Sequence, residues 1–138
     1  MTAIVKWVGG LSFLGRAGTN HWVPMDASKE VGGDAAASSP MELVLIGLGG
    51  CTAMDIVSIL EKKKVKLDDF WIELDATKSD DYPKVFTRIK LKYVVVGKAI
   101  PREAVERAVQ LSEEKYCSVG AMLRKTAKIE YEIDIRPS

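Results

Sequence analysis

Two cysteines, Cys51 and Cys117, are the side chains of this sequence best suited to carry out chemistry. A thiolate is a nucleophile and a redox group, whereas a protonated cysteine is often only a small buried hydrophobe. Two cysteines in 138 residues do not make a disulfide-dense secreted scaffold. The pair therefore predicts reversible thiol chemistry, while a purely structural role for either cysteine stays open at this point.

Charged residues near each cysteine affect how readily its thiolate forms. Asp55 follows Cys51 by about one helical turn and would raise the pKa of a thiol beside it. A reactive Cys51 therefore needs a cation, most simply an arginine. Lys115 and Arg124 bring positive charge near Cys117 in sequence. Cys117 also lies between two predicted helices, and a helix N-terminus is expected to favour its thiolate.

Metal chemistry has little support in the sequence. One histidine, His21, and two cysteines are too few for a closed zinc site built from Cys and His alone. Asp26, Asp34 and Asp55 do not have the spacing of a calcium loop. We expect no metal and no cofactor, and His21 is more simply a partly buried strand residue than a general base.

The helix that carries Cys51 has a clear start. Ser39 is a good N-cap, Pro40 suits the first helical position, and Glu42 falls at the third, which together form a capping box. The helix is predicted to run from Pro40 to about Lys63, where lysines suit the negative end of the helix dipole.

The same helix is unusually apolar. Residues 43–60 approach the length and hydrophobicity of a marginal membrane span. Thr52, Asp55 and Ser58 within it favour the alternative, which is a buried central helix. Gly47 and Gly50 share a face with Cys51, so that face leaves room for another backbone or for a small molecule beside the sulfur. A helix this apolar also makes a homodimer plausible.

The remaining elements follow from hydrophobic periodicity. Alternating apolar residues predict strands over residues 3–8, 11–13, 21–25, 70–77, 85–95 and 127–135. Two further helices are predicted, one from Pro101 to about Tyr116 and one capped by Ser118, and residues 27–39 are predicted to form a mobile surface loop. The order of elements indicates an α+β fold with a mostly antiparallel sheet, in a single domain over residues 1–138.

The composition excludes some functions. The formal net charge is +1, from 20 basic and 19 acidic residues, so the chain has no electrostatic footprint for nucleic acid or an anionic membrane. We expect no nucleic-acid or membrane partner. No signal peptide is apparent, and with two cysteines a cytoplasmic location is expected.

Two segments resemble the cysteine motifs of the OsmC/Ohr family, named for osmotically inducible protein C and organic hydroperoxide resistance protein. Residues 39–43 (SPMEL) and 49–55 (GGCTAMD) resemble the first motif, and residues 114–119 (EKYCSV) resemble the second. The order of elements is similar over essentially the whole chain. In detail the sequence is most similar to a small, less characterised OsmC-like branch.

The resemblance implies a fold and an activity. The implied fold is an intertwined homodimer with mostly antiparallel sheets around two central helices and active sites at the subunit interface. The implied activity is thiol-dependent reduction of organic hydroperoxides in oxidative stress defence. Cys51 would be the peroxidatic cysteine and Cys117 the resolving cysteine, with a dithiol as the reductant.

Two further site residues are carried over from the resemblance. Arg16, within the predicted glycine turn at residues 15–18, matches the arginine that activates the thiolate in the family. The family's glutamate directly follows the motif proline, whereas here Met41 takes that place and Glu42 comes one residue later. Glu42 and Cys51 are then about two and a half helical turns apart and are expected to point to opposite faces. Glu42 is therefore a weaker candidate, because the capping box already explains it.

A second interpretation is a non-catalytic protein with the same residues. The cysteine pair would then sense oxidation, or the space beside Cys51 would hold a small apolar ligand, in either case within a dimer. Consumption of peroxide over repeated turnovers distinguishes the enzyme from both alternatives.

Overall fold

The computed structural model describes all 138 residues, which form two compact units, Met1–Val44 and Leu45–Ser138. The prediction of a single domain remains a prediction. The first unit is a three-stranded antiparallel sheet in the order β1-β2-β3. Its strands are β1 (Ile4–Trp7), β2 (Phe13–Arg16) and β3 (Val23–Met25). The turn between β1 and β2 is closed by Gly9, whose carbonyl accepts the Ser12 N–H at 2.9 Å.

The sequence predicts a mobile surface loop after β3, but in the structure several hydrogen bonds hold this loop in place. A short 3₁₀ turn spans Lys29–Val31. The buried Asp26 carboxylate accepts the backbone N–H groups of Ala27, Asp34 and Ala36 at 2.7, 3.2 and 3.1 Å. The bond from Ala36 is the largest of the effects that lower the pKa of Asp26. The loop is therefore organised around one carboxylate, because buried backbone donors need an acceptor.

The helix α1 (Pro40–Lys62) begins as predicted. Ser39 Oγ accepts the Glu42 N–H at 3.2 Å, and Glu42 Oε1 accepts the Ser39 N–H at 2.9 Å, which is the reciprocal pair of a capping box. The predicted start and the capping box are thereby confirmed, and the helix ends one residue earlier than expected.

The second unit contains a sheet in the order β4-β5-β6. β4 (Asp69–Lys78) and β5 (Phe86–Val96) form an antiparallel pair, while β6 (Lys128–Arg136) runs parallel to β5. The fold is α+β and mostly antiparallel, as predicted. The parallel pair is possible because residues 97–127 form the long helical connection that such a pair requires.

That connection holds α2 (Arg102–Leu111), a π-helical turn (Ser112–Tyr116) and α3 (Ser118–Leu123). The sequence predicts one helix to Tyr116, but in the structure the α-helix ends at Leu111 and a wider π-helical turn follows from Ser112. Such π turns occur often at functional sites. The buried core of this unit comes from α1, β5 and α2, and includes Ile56, Leu60, Ile89, Leu91, Tyr93, Val95, Val105 and Val109.

Within a single chain, α1 is less buried than the predicted central helix. It is long and apolar enough to cross a membrane by length and composition, but only 28% of its most apolar window is buried. Gly49 packs against β4, with Leu74 Cδ1 2.9 Å from where a Cβ would lie, whereas Gly47 and Gly50 have no neighbour within 4 Å of that position. Ile46, Met54 and Val57 are also exposed. One face of α1 is therefore uncovered within a single chain.

Candidate functional site

The structure brings the two cysteines together. Both thiols are free, and the Cys51 side chain lies near enough to Cys117 to raise the pKa of its thiol. Cys51, near the middle of α1, is partly exposed, whereas Cys117 is only 4% exposed. An oxidising reagent therefore reaches Cys51 more readily than Cys117, and a second thiol lies nearby. This arrangement suits a pair in which one sulfur reacts and the other closes a disulfide.

Cys117 is held at the junction between the π turn and α3. Its N–H donates to the Ser112 carbonyl at 2.9 Å, and its Sγ accepts the Gly120 N–H at 3.3 Å. Cys117, and not the predicted Ser118, is thus the N-cap of α3. The sulfur takes this place because its side chain reaches the N–H of Gly120, the third residue of α3, which has no partner within the helix.

The acidity of Cys117 depends on more than the helix N-terminus. Burial raises the pKa of the Cys117 thiol to about 11, and this exceeds the lowering by the Gly120 N–H. Cys51 and the Asp55 carboxylate also raise the pKa. The Gly120 N–H does lower the pKa of Cys117, as expected of a helix N-terminus, but desolvation of the charged form outweighs this one hydrogen bond.

A chain of buried hydroxyl groups runs beside the cysteines. Ser112 Oγ donates to Asp55 Oδ2 at 2.9 Å and contacts Thr52 Oγ1 at 2.7 Å. Thr52 Oγ1 in turn contacts the Tyr93 hydroxyl at 3.0 Å. That hydroxyl donates to Glu113 Oε1 at 2.7 Å. The chain thus joins two carboxylates through three hydroxyls, all of them on residues with 0% exposure.

Arg124 is the cation at this site. Its guanidinium pairs with Glu113 Oε2, and Nη1 and Nη2 each lie 3.5 Å from where a Cβ on Gly120 would be. The Cys117 Sγ lies 3.3 Å from the same point. Glycine at position 120 therefore lets the guanidinium approach the sulfur. Arg124, which follows Cys117 in sequence, is therefore a cation on the Cys117 side of the pair. The predicted need of Cys51 for an arginine stays a prediction.

Arg16 and Glu42, the other two predicted site residues, belong to the first unit. Arg16 ends strand β2 and does not lie in the predicted glycine turn. Its Nη1 donates to Asn20 Oδ1, its guanidinium lies 4.9 Å from the Trp22 ring centroid, and its buried Nε has no hydrogen-bond partner. Glu42 caps α1 as described. Roles for Arg16 and Glu42 at the thiols remain predictions.

The hydroxyl chain was missed by sequence reasoning. Thr52 lies directly after Cys51, and Ser112 and Glu113 precede Cys117 by four or five residues. Polar residues on otherwise apolar faces are the signal that could have found them, since buried hydroxyls need partners. No group of three or more His, Cys, Asp or Glu side chains is placed to hold a metal ion.

Comparison with known proteins decides the family. Residues 32–132 match the family described as "OsmC-like protein". The chain belongs to the OsmC-like family. It is 44% identical over 135 residues to "Protein YhfA" of Escherichia coli strain K12, covering 98% of both chains.

Solved OsmC-like structures share the fold. A hypothetical protein from Aquifex aeolicus VF5 is 32% identical, with a TM-score of 0.81 over 97% of this chain and 96% of that one. An organic hydroperoxide resistance protein OsmC from Legionella pneumophila has a TM-score of 0.72 at 18% identity, over 97% of each chain. The second likeness concerns the fold alone. Membership of the OsmC/Ohr family points to a function related to peroxide stress.

Proposed function

We propose that this protein is a thiol-dependent hydroperoxide reductase in which Cys51 is the peroxidatic and Cys117 the resolving cysteine. The observation that carries the proposal is that two free thiols are neighbours, one partly exposed and one buried. Structural cysteines have no need of a second thiol nearby. Membership of the OsmC-like family and the Arg124 guanidinium beside Gly120 support the same chemistry.

The reaction proceeds in three steps. The Cys51 thiolate attacks the distal oxygen of the hydroperoxide, the O–O bond breaks, and the departing alkoxide takes up a proton to leave as an alcohol, so that Cys51 becomes a sulfenic acid. The Cys117 sulfur then attacks the Cys51 sulfur, which forms the S–S bond and releases water. A dithiol finally reduces the disulfide by exchange and is itself oxidised.

The wild-type protein tests this proposal directly. We expect one equivalent of cumene hydroperoxide to remove both free thiols from the reduced protein, and repeated additions of a dithiol to sustain peroxide consumption. Thiols are counted by mass spectrometry after alkylation, and peroxide by its absorbance or a dye assay. Loss of both thiols without turnover would instead favour the redox sensor, and no loss would favour a structural or ligand-binding role.

We also propose that the protein is a cytoplasmic homodimer. The uncovered face of α1 has exposed Ile46, Met54 and Val57 together with the open glycine positions 47 and 50. An apolar face of this kind needs a cover, and a second copy supplies a matching one. Reduced, paired thiols also suit the cytoplasm, where disulfides are kept transient.

Charge placed on this face is expected to separate the protomers. Met54 is 75% exposed in the single chain, so Met54→Glu costs little in a monomer but buries a charge in the dimer. Sedimentation at micromolar concentration without detergent is expected to give a dimer for wild type and a monomer for Met54→Glu. Met122→Glu, on α3 and 64% exposed, is the matched control and should stay dimeric. A monomeric wild type, or a dimeric Met54→Glu, would contradict the proposal.

A further inference from the structure

Ser112 is hydrogen-bonded to the segments of both cysteines. Its backbone carbonyl accepts the Cys117 N–H at 2.9 Å. Its Oγ lies 2.7 Å from the Oγ1 of Thr52, the residue that directly follows Cys51 on α1, and donates to Asp55 Oδ2 at 2.9 Å. Ser112 and Thr52 both have 0% exposure. One buried residue therefore links the helix that carries Cys51 to the backbone of Cys117.

The π turn makes this double link possible. In an α-helix the N–H of Cys117 would bond to the carbonyl four residues earlier, which belongs to Glu113. In the wider turn the acceptor lies five residues earlier and is Ser112, the same residue whose hydroxyl reaches α1. The π turn thus gives both links to a single residue, whereas an α-helical turn would divide them between two successive residues.

The link is supported from the sheet as well. Thr52 Oγ1 also contacts the Tyr93 hydroxyl on β5 at 3.0 Å, and that hydroxyl donates to Glu113 Oε1 at 2.7 Å. Arg124, directly after α3, pairs with the same Glu113 carboxylate. Buried polar networks whose members are all bonded are rigid and specify one arrangement. The π turn is therefore held from two sides, by α1 and by β5.

The side chain of Cys117 is held in place together with its backbone. Its Sγ accepts the Gly120 N–H at 3.3 Å, which fixes the sulfur at the start of α3. Cys51 is held through α1, because its neighbour Thr52 carries the link. A disulfide closes only when the two Cα atoms are about 4.4–6.8 Å apart and the side chains point towards each other. Small movements of the π turn against α1 therefore decide whether the two sulfurs can meet.

We propose that Thr52 and Ser112 are positioning residues that hold the segments of Cys51 and Cys117 at the separation from which the disulfide forms. The inference rests on the proposed function for its physiological step. In that step the Cys117 thiol gives its proton to solvent, its sulfur forms the S–S bond as the S–O bond of the Cys51 sulfenic acid breaks, and the departing hydroxide takes up a proton to leave as water. Thr52 and Ser112 exchange no atom with the sulfurs, and they raise the effective concentration of one sulfur at the other.

An aromatic disulfide measures this closure without any peroxide. Dithiobis-nitrobenzoate reacts with the more accessible Cys51 and releases one coloured thiolate, and attack of Cys117 on the mixed disulfide then releases a second. Both rates are recorded by absorbance at one fixed pH. The first rate reports the reactivity of Cys51, and the second reports the approach of Cys117. A loss confined to the second rate is therefore the signature of positioning, whereas a general loss of structure changes both rates.

The variants remove the link and leave the backbone in place. Thr52→Val keeps the shape of threonine without its hydroxyl, Thr52→Ser keeps the hydroxyl, and Ser112→Ala keeps the carbonyl that accepts the Cys117 N–H. Ile89→Val is the matched control, because Ile89 is a fully buried residue of β5 that takes no part in the link, and its truncation loosens the core. Urea denaturation checks that each variant is folded.

We expect the second rate to fall at least about tenfold in Thr52→Val and Ser112→Ala, with the first rate unchanged within about twofold. Thr52→Ser and Ile89→Val should keep both wild-type rates. An unchanged second rate in both link-breaking variants, or a loss in Thr52→Ser or Ile89→Val equal to that in Thr52→Val, would overturn the inference. A wild-type protein that releases only one coloured thiolate would overturn it as well. If Ser112→Ala does not fold, the Thr52 pair decides.

This assay can fail or succeed separately from the proposed function. A second rate that depends on the link, in a protein that does not turn over peroxide, would reject the proposed function alone. Peroxide turnover by the wild type, with no effect of the link on the second rate, would reject the positioning role alone.

Discussion

Replacing Cys51 by serine is expected to lower peroxide consumption by at least about a thousandfold, because the substitution removes the nucleophile that attacks the O–O bond. Serine is close to cysteine in size, and Cys51 is only partly buried, so the fold should tolerate the change. The measurement is the rate of cumene hydroperoxide loss with an excess of dithiol. Retained activity in Cys51→Ser would remove Cys51 from the peroxidatic role.

Cys117→Ser is the matched control for that variant. It keeps the attacking sulfur and loses the second one, so we expect it to consume one equivalent of peroxide and to accumulate a Cys51 sulfenic acid. Dimedone traps this species, and mass spectrometry then locates it on Cys51. Formation of the Cys51–Cys117 disulfide is lost in this variant by design, so an undiminished rate of Cys51 oxidation to a disulfide would show that Cys117 is not the resolving cysteine.

Replacing Arg124 by methionine is expected to destabilise the protein by about 2–3 kcal/mol, because it leaves the Glu113 carboxylate buried without its cation. The Glu113 side chain is 10% exposed and that of Arg124 is 33% exposed, so the loss should fall below that of a fully buried pair. Urea denaturation measures the free energy of unfolding under reducing conditions.

A surface pair supplies the control. Arg88 and Glu130 form a comparable contact at 2.6 Å, but their side chains are 58% and 33% exposed. Arg88→Met should therefore cost less than about 1 kcal/mol. Adding Glu113→Gln to Arg124→Met should restore part of the lost stability, since it removes the unpaired charge. Equal losses of unfolding free energy in Arg124→Met and Arg88→Met would show that burial does not make the Arg124–Glu113 pair more important for stability than the surface pair.

Local structure was largely predictable from the sequence. The capping box at Ser39 and Glu42, the strand pair at β4 and β5, and the order of elements follow from interactions between residues close in the chain. The structure departs from the sequence prediction where the outcome depends on contacts between segments that are distant in the chain. The parallel pairing of β6 with β5 and the wider turn at Ser112 depend on where the helices pack, and hydrophobic periodicity does not record that.

The candidate site, like the fold, was predictable from the sequence only in part. The two cysteines, and the presence of Arg124 close to Cys117, were visible as residue types and spacing. The hydroxyl chain was not, because Thr52, Tyr93 and Ser112 come from three different elements and meet only in the folded unit. The helix N-terminus beside Cys117 was predicted, but the net rise in its pKa was not, since the main cause of that rise is burial by the whole fold.

By itself, the sequence determined which residues can do chemistry and which segments are helix or strand, because residue type and short-range periodicity fix both. Only the tertiary structure decided that the two thiols are neighbours, that a chain of three hydroxyls joins two carboxylates beside them, and that one face of α1 stays uncovered. The physical reason is that proton positions and thiol acidity depend on desolvation and on neighbours brought together from distant parts of the chain.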